Sequence, residues 1–84
     1  MSAHTETVKT IQGRLDILEK SLVSEENSVQ YYQTLLEKTP EDSEENLGAR
    51  RMYEDLREEE KTHVQAIRNF IAHWEKKLEE IQSA

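Results

Sequence analysis

Glu25, Glu60 and His63 stand inside stripes of apolar residues, apart from the solvated faces that carry nearly all the other charges. An unpaired carboxylate taken out of water costs several kcal/mol in practice, a large share of the roughly 5 to 15 kcal/mol that holds a domain folded. A compensating partner is therefore expected at each position. Carboxylate oxygen and neutral imidazole are ligands for iron, manganese or zinc. The run Glu60-Lys61-Thr62-His63 sets a carboxylate and an imidazole three residues apart on one helix face, where both reach a single metal ion. At roughly 100° per residue, Glu60 lies nearer the centre of its stripe than Glu59, and Glu25 nearer than Glu26 by a smaller margin. Glu26, Glu58 and Glu59 read as solvated residues, and neither His4, near the terminus, nor His73, off the stripe, reads as a ligand.

Two long helices must carry these side chains. Val8, Ile11, Leu15, Leu18, Leu22, Glu25, Val29, Tyr32 and Leu36 recur at alternating spacings of three and four, a heptad-like stripe. Leu56, Glu60, His63, Ile67, Phe70, Trp74, Leu78 and Ile81 form a second, which Met52 and Tyr53 extend upstream. The spacing predicts a first helix over about residues 5–38, a turn over 39–46 and a second helix over about 47–82, all in one domain spanning residues 1–84. Pro40 holds Thr39 extended, and Thr39 or Ser43 is placed to cap the second helix. Glu41, Asp42, Glu44 and Glu45 suit that helix's positive N-terminal end. An antiparallel hairpin folded near residue 43 has Glu25 18 residues before the fold and Glu60 and His63 17 and 20 after it. At about 1.5 Å per residue the three fall within roughly one turn along the axis. Three separate anomalies thereby become one cluster.

Composition narrows the rest. With 84 residues there is little core to bury. Apolar residues make up 35% and charged residues 35%, and only Gly13, Gly48 and Pro40 interrupt secondary structure, a composition of long helices. The absence of cysteine removes disulfides and thiolate-bound metal centres as supplementary sources of stability. A net charge of -7 argues against nucleic acid and favours cations or basic surfaces. The start MSAHTETVK has no apolar signal region and no stretch is long enough to span a bilayer, so a cytoplasmic protein is expected.

One hairpin offers two carboxylates and one imidazole and leaves the inward face of both helices uncovered. A homodimer is expected to complete both, as a four-helix bundle with four glutamates and two histidines, the ligand set of di-iron carboxylate bundles. Four carboxylates and two divalent ions balance in charge, which predicts assembly coupled to metal.

At this point the residues resemble a known pattern. Glu25, then Tyr32 two turns on, then Glu60-Lys61-Thr62-His63 resembles the first half of the ferritin-like superfamily site, and Glu58-Glu59-Glu60-Lys61-Thr62-His63 is similar to the segment that carries Glu-x-x-His in rubrerythrins and encapsulated ferritins. The likeness covers residues 25 to 63. It implies that Glu60 bridges two iron ions per dimer, that Glu25 and His63 are terminal ligands, and that Tyr32 is a hydrogen-bond partner of the site. It departs from the full-length family in having no second Glu-x-x-His. Encapsulated ferritins are similar half-length chains that build a ferroxidase site across a dimer, assemble further into rings and store mineral within an encapsulin shell. The resemblance therefore implies oxidation of Fe(II) by O2 or peroxide, a higher oligomer of dimers and an encapsulin shell as partner. Rubrerythrin-like peroxide scavenging would need an electron donor on another protein, since no Cys-ligated rubredoxin centre can form here. Two alternatives stand beside these: a metal-binding assembly without turnover, and a structural hairpin whose polar core residues set register. Tyr31 and Trp74 read as packing residues, and Tyr53 as ambiguous between packing and the site.

Overall fold

A computed structural model describes residues 5–83, so His4 lies outside the described residues. The chain is all-helical: α1 runs Val8–Lys38 and α2 runs Glu44–Ser83, packed against each other as a long hairpin of 61 × 22 × 14 Å. Both helices start where local hydrogen bonding places them, a few residues away from the boundaries that apolar periodicity predicts. At α1 the start moves from about residue 5 to Val8, because Thr7 takes an extended conformation (φ -122, ψ 169) and caps the helix. Its hydroxyl accepts from the Thr10 N–H at 3.1 Å while the Thr10 hydroxyl accepts from the Thr7 N–H at 2.8 Å, a reciprocal capping box. At α2 the start moves from about residue 47 to Glu44, because the Ser43 hydroxyl accepts from the Asn46 N–H at 3.1 Å. Glu44 and Glu45 then occupy the first turn, where the helix dipole favours them.

The turn shrinks accordingly to 39–43. Thr39 is extended (φ -95, ψ 113), as the following proline requires, and ends α1. The last carbonyls of α1 do not go begging. The Thr39 hydroxyl donates to the Leu35 carbonyl at 2.7 Å, and Arg50 reaches back from α2 to donate to the Leu36 carbonyl and, at 2.7 Å, to the Thr39 carbonyl. One guanidinium thus ties the two helices together at the closed end of the hairpin, where orphan carbonyls need partners.

Burial is thin. Among the described residues only Ile11 and Leu36 are fully buried, and the rest of the α1 stripe, Glu25 and Tyr32 included, is half-buried as its spacing predicts. The α2 stripe differs from expectation. Its half-buried residues run Leu56, Glu60, Val64, Ile67, Ile71, Trp74, Leu78 and Ile81, whereas His63 is exposed and Phe70 is 56% exposed. His63 and Phe70 lie roughly 60 to 80° round the helix from Glu60, so a single partner helix covers Val64 and Ile71 and leaves those two on the flank.

The two long edges of the hairpin differ in chemistry. One is closed by polar contacts between the helices, Arg68 with Glu26 at 2.9 Å and Arg57 with Gln33 at 2.7 Å. The opposite edge is open and apolar, carrying Ile17, Tyr31, Met52 and Phe70, each more than half exposed. The chain exposes 6419 Å² for a mass of 9.9 kDa, against about 5,200 Å² for a compact monomer of that size. The excess of about 1,200 Å² is more than one partner contributes to a standard protein interface.

Candidate metal centre

The straight run of α1 from its cap to Lys38 and the Ser43 cap of α2 set the register that brings the three sequence-selected residues together. Glu25, Glu60 and His63 each offer one ligand atom, and these atoms lie within 4.8 Å of one another. His63 Nδ1 sits 3.6 Å from Glu25 Oε2 and 3.6 Å from Glu60 Oε2, midway between carboxylates on different helices. At 3.6 Å neither separation is a hydrogen bond. Glu60 Oε2 is buried and has no hydrogen-bond partner. A buried carboxylate oxygen without a donor costs about 1–3 kcal/mol, and this atom is free to accept a proton donor or a cation.

The donor set fits a divalent ion. With metal–ligand bonds near 2.1 Å, neighbouring donors stand about 3.0–3.5 Å apart, and the two separations to His63 already approach that range. The side-chain exposures fall from 47% at His63 through 30% at Glu25 to 21% at Glu60, so the cluster is closed on the hairpin side and open toward the apolar edge. Both carboxylates approach from inside the hairpin and the imidazole from its flank. Three donors from one chain leave coordination positions free on the open side.

Sequence reasoning set Glu59 aside as solvated, and its side chain is indeed 69% exposed. Its carboxylate nevertheless lies 3.5 Å from His63 Nε2, the ring nitrogen that faces away from Glu25 and Glu60. The signal was present as the i,i+4 spacing of Glu59 and His63, and a carboxylate on the far nitrogen is how metal-bound imidazoles are commonly oriented. Tyr32 is half-buried one stripe position beyond Val29, its ring edge-to-face with Tyr31 at 5.4 Å. Trp74 is half-buried at the open end of the hairpin, with the Arg14 guanidinium 4.3 Å above its ring and His73 edge-on at 4.9 Å. His73 thus packs on an aromatic ring, ten residues along α2 from His63.

Among the described residues no helix is long and apolar enough to cross a membrane. No protein-family model, curated protein or solved structure matches the chain.

Proposed function

We propose that two copies of this hairpin associate through their open apolar edges into a four-helix bundle, and that the joined clusters form a di-iron centre which oxidises Fe(II) with O2 or peroxide. The observation that carries this reading is the grouping of Glu25, Glu60 and His63 within 4.8 Å, with a buried, unpartnered Glu60 oxygen at its heart. It is reinforced by the apolar edge toward which the cluster opens. Two copies bring four glutamates and two histidines, the ligand complement of di-iron carboxylate bundles. In this reading Glu60 would bridge the two ions, Glu25 and His63 would be terminal ligands, and Tyr32 would offer a hydrogen bond to the site. Manganese or zinc suits the same donors.

When bound, the two Fe(II) ions supply the two electrons that take O2 to peroxide or peroxide to water, and the protein supplies binding, orientation and electrostatics. The four carboxylates would offset the charge of the two ions. Glu59, whose carboxylate lies 3.5 Å from the far nitrogen of His63, would orient the ring with Nδ1 inward. The apolar edge, once covered by the second copy, keeps bulk water from the cluster. A higher oligomer and an encapsulin compartment follow from the resemblance carried by Glu25, Tyr32 and the Glu60–His63 run.

Anomalous scattering at the iron edge, from crystals loaded with Fe(II), tests the centre directly. Two iron positions roughly 3.5–4 Å apart, held by both copies, are expected. Oxygen consumption by the Fe(II)-loaded protein then distinguishes turnover from simple metal holding. The position of His63 between two carboxylates favours one further reading, a polar cluster that only sets register; iron density absent from the cluster, with those side chains paired to one another, would establish it instead.

A further inference from the structure

We infer that Gln33 is a positioning residue for the metal centre, an inference that rests on the role given to Glu60 above. Gln33 holds the Arg57 guanidinium off the Glu60 carboxylate and so leaves that carboxylate to a divalent cation.

Among the described residues two buried side-chain atoms lack a hydrogen-bond partner, and they are complementary: Glu60 Oε2 is an acceptor and Arg57 Nε is a donor. Their side chains stand three residues apart on α2, a spacing at which a cation and a carboxylate meet on a helix. At about 100° per residue, Arg57 lies about 60° to one side of Glu60 and His63 about 60° to the other. The Glu60 carboxylate therefore has two directions open to it. Toward the open edge are Glu25 and His63, whose Nδ1 is 3.6 Å from Glu60 Oε2. Toward the polar edge is a permanent cation. Both side chains are mostly covered, Arg57 24% and Glu60 21% exposed. In such a setting a charge-assisted bond between guanidinium and carboxylate is among the strongest that side chains form, yet the two are not paired.

What keeps them apart reaches over from α1. Arg57 Nη1 donates to Gln33 Oε1 at 2.7 Å. The Gln33 amide is itself fixed, because its Nε2 donates to Glu37 Oε1 at 3.2 Å and so turns the carbonyl oxygen toward Arg57. The other contact of the guanidinium is Nη2 to Glu58 Oε1 at 3.3 Å, a carboxylate 60% exposed that Lys61 also approaches at 3.3 Å. A pair that accessible and shared holds little. Gln33 is thus the one short tether on Arg57. With the tether cut, rotation about the Arg57 side-chain bonds joins the two orphaned atoms and takes from a metal ion its central ligand.

Zn(II) affinity, measured by competition with a chromogenic chelator at fixed protein concentration, reads the effect. Gln33→Leu should raise the Zn(II) Kd about tenfold to a hundredfold, the effect of one hydrogen bond between charged groups. It should do so although Gln33 makes no hydrogen bond to Glu25, Glu60 or His63. Arg57→Met should bind Zn(II) at least as tightly as the parent, and the double variant should bind as Arg57→Met does, because no guanidinium is left to restrain. Gln33→Glu keeps an acceptor for Arg57 and should bind no more weakly than the parent. An unchanged Kd in Gln33→Leu overturns the inference. So does a double variant as weak as Gln33→Leu, the result expected of a plain tie between helices. A second readout needs no metal: in chelator, the Arg57 Nε–Hε magnetic resonance signal should move downfield in Gln33→Leu and return when Glu60→Gln is added. A signal that stays in place overturns the inference. A parent that binds no Zn(II) overturns the metal centre and this role with it, and a signal that still moves then shows that the centre failed and the tether did not.

Discussion

Glu60→Gln reverses the order of thermal stability between the metal-free and metal-loaded protein. The substitution keeps the shape of the side chain and removes its charge. Glu60 Oε2 is buried without a hydrogen-bond partner, and its side chain is 21% exposed. An amide N–H in place of that oxygen can donate toward the Glu25 carboxylate or His63 Nδ1, and replacing an orphaned acceptor by a paired donor is worth about 1–3 kcal/mol, with partial exposure favouring the lower end. Against this stands the lost attraction to His63, 3.6 Å away on a ring 47% exposed, and a pair that accessible to water is worth about 0–1 kcal/mol. The desolvation side wins by up to about 1 kcal/mol per chain, which raises Tm by up to about 8 °C for a domain of this size. With metal the balance inverts. An ion held at one hundred times its Kd stabilises the native protein by about 2.7 kcal/mol, or about 10–20 °C, and the glutamine cannot act as a bridging carboxylate. Circular dichroism melts of both proteins, with and without Zn(II) or anaerobic Fe(II), measure all four values. The variant should melt above the parent in chelator and below it in metal. Parallel metal shifts in the two proteins would refute the role of Glu60 as ligand. A variant that melts below the parent in chelator would refute the strain assigned to its buried oxygen.

Phe70→Ser should weaken self-association about tenfold to a hundredfold in sedimentation velocity, the effect of losing a central apolar anchor. The helix content of the separate chain should barely change, because the ring is 56% exposed there. Arg50→Ala removes the donor to the Leu36 and Thr39 carbonyls and should cost about 1.5–3 kcal/mol in urea unfolding, as hydrogen bonds to charged groups do, with amide exchange accelerated first around the turn. The Arg14 guanidinium and the Thr10 hydroxyl beside Glu6 hold its carboxyl below the ordinary 4.5. Its contribution to the start of α1 is therefore fully present above that value and is lost as pH falls through the lowered folded value. Carboxyl chemical shifts followed from pH 7 downward should place the Glu6 midpoint below 4.5, and Arg14→Ala should raise it.

Helical periodicity and one turn signal were enough to bring the cluster out of the sequence. Helix rise and angle are set by backbone hydrogen bonds and barely vary, so residues at matching distances from the fold near residue 43 must meet, and Glu25, Glu60 and His63 do. The α1 stripe was legible for the same reason, and so was the shortage of core, since an 84-residue chain that is 35% apolar and lacks cysteine has few ways to bury surface. Helix starts were less legible. Thr7 and Ser43 decide them through single side-chain hydrogen bonds, which periodicity does not register.

What the tertiary structure alone decided is how far round α2 the buried stripe turns. Apolar spacing permits either His63 and Phe70 or Val64 and Ile71 to face α1, and the choice follows from the pairing of two helices and the polar bonds along one edge. That rotation leaves His63 with Glu25 and Glu60 on one ring nitrogen and Glu59 on the other, and lines one flank with Ile17, Tyr31, Met52 and Phe70. Period and composition specify a helix and its apolar width. Only the packing of one helix on another divides that width into the part already covered and the part still facing solvent.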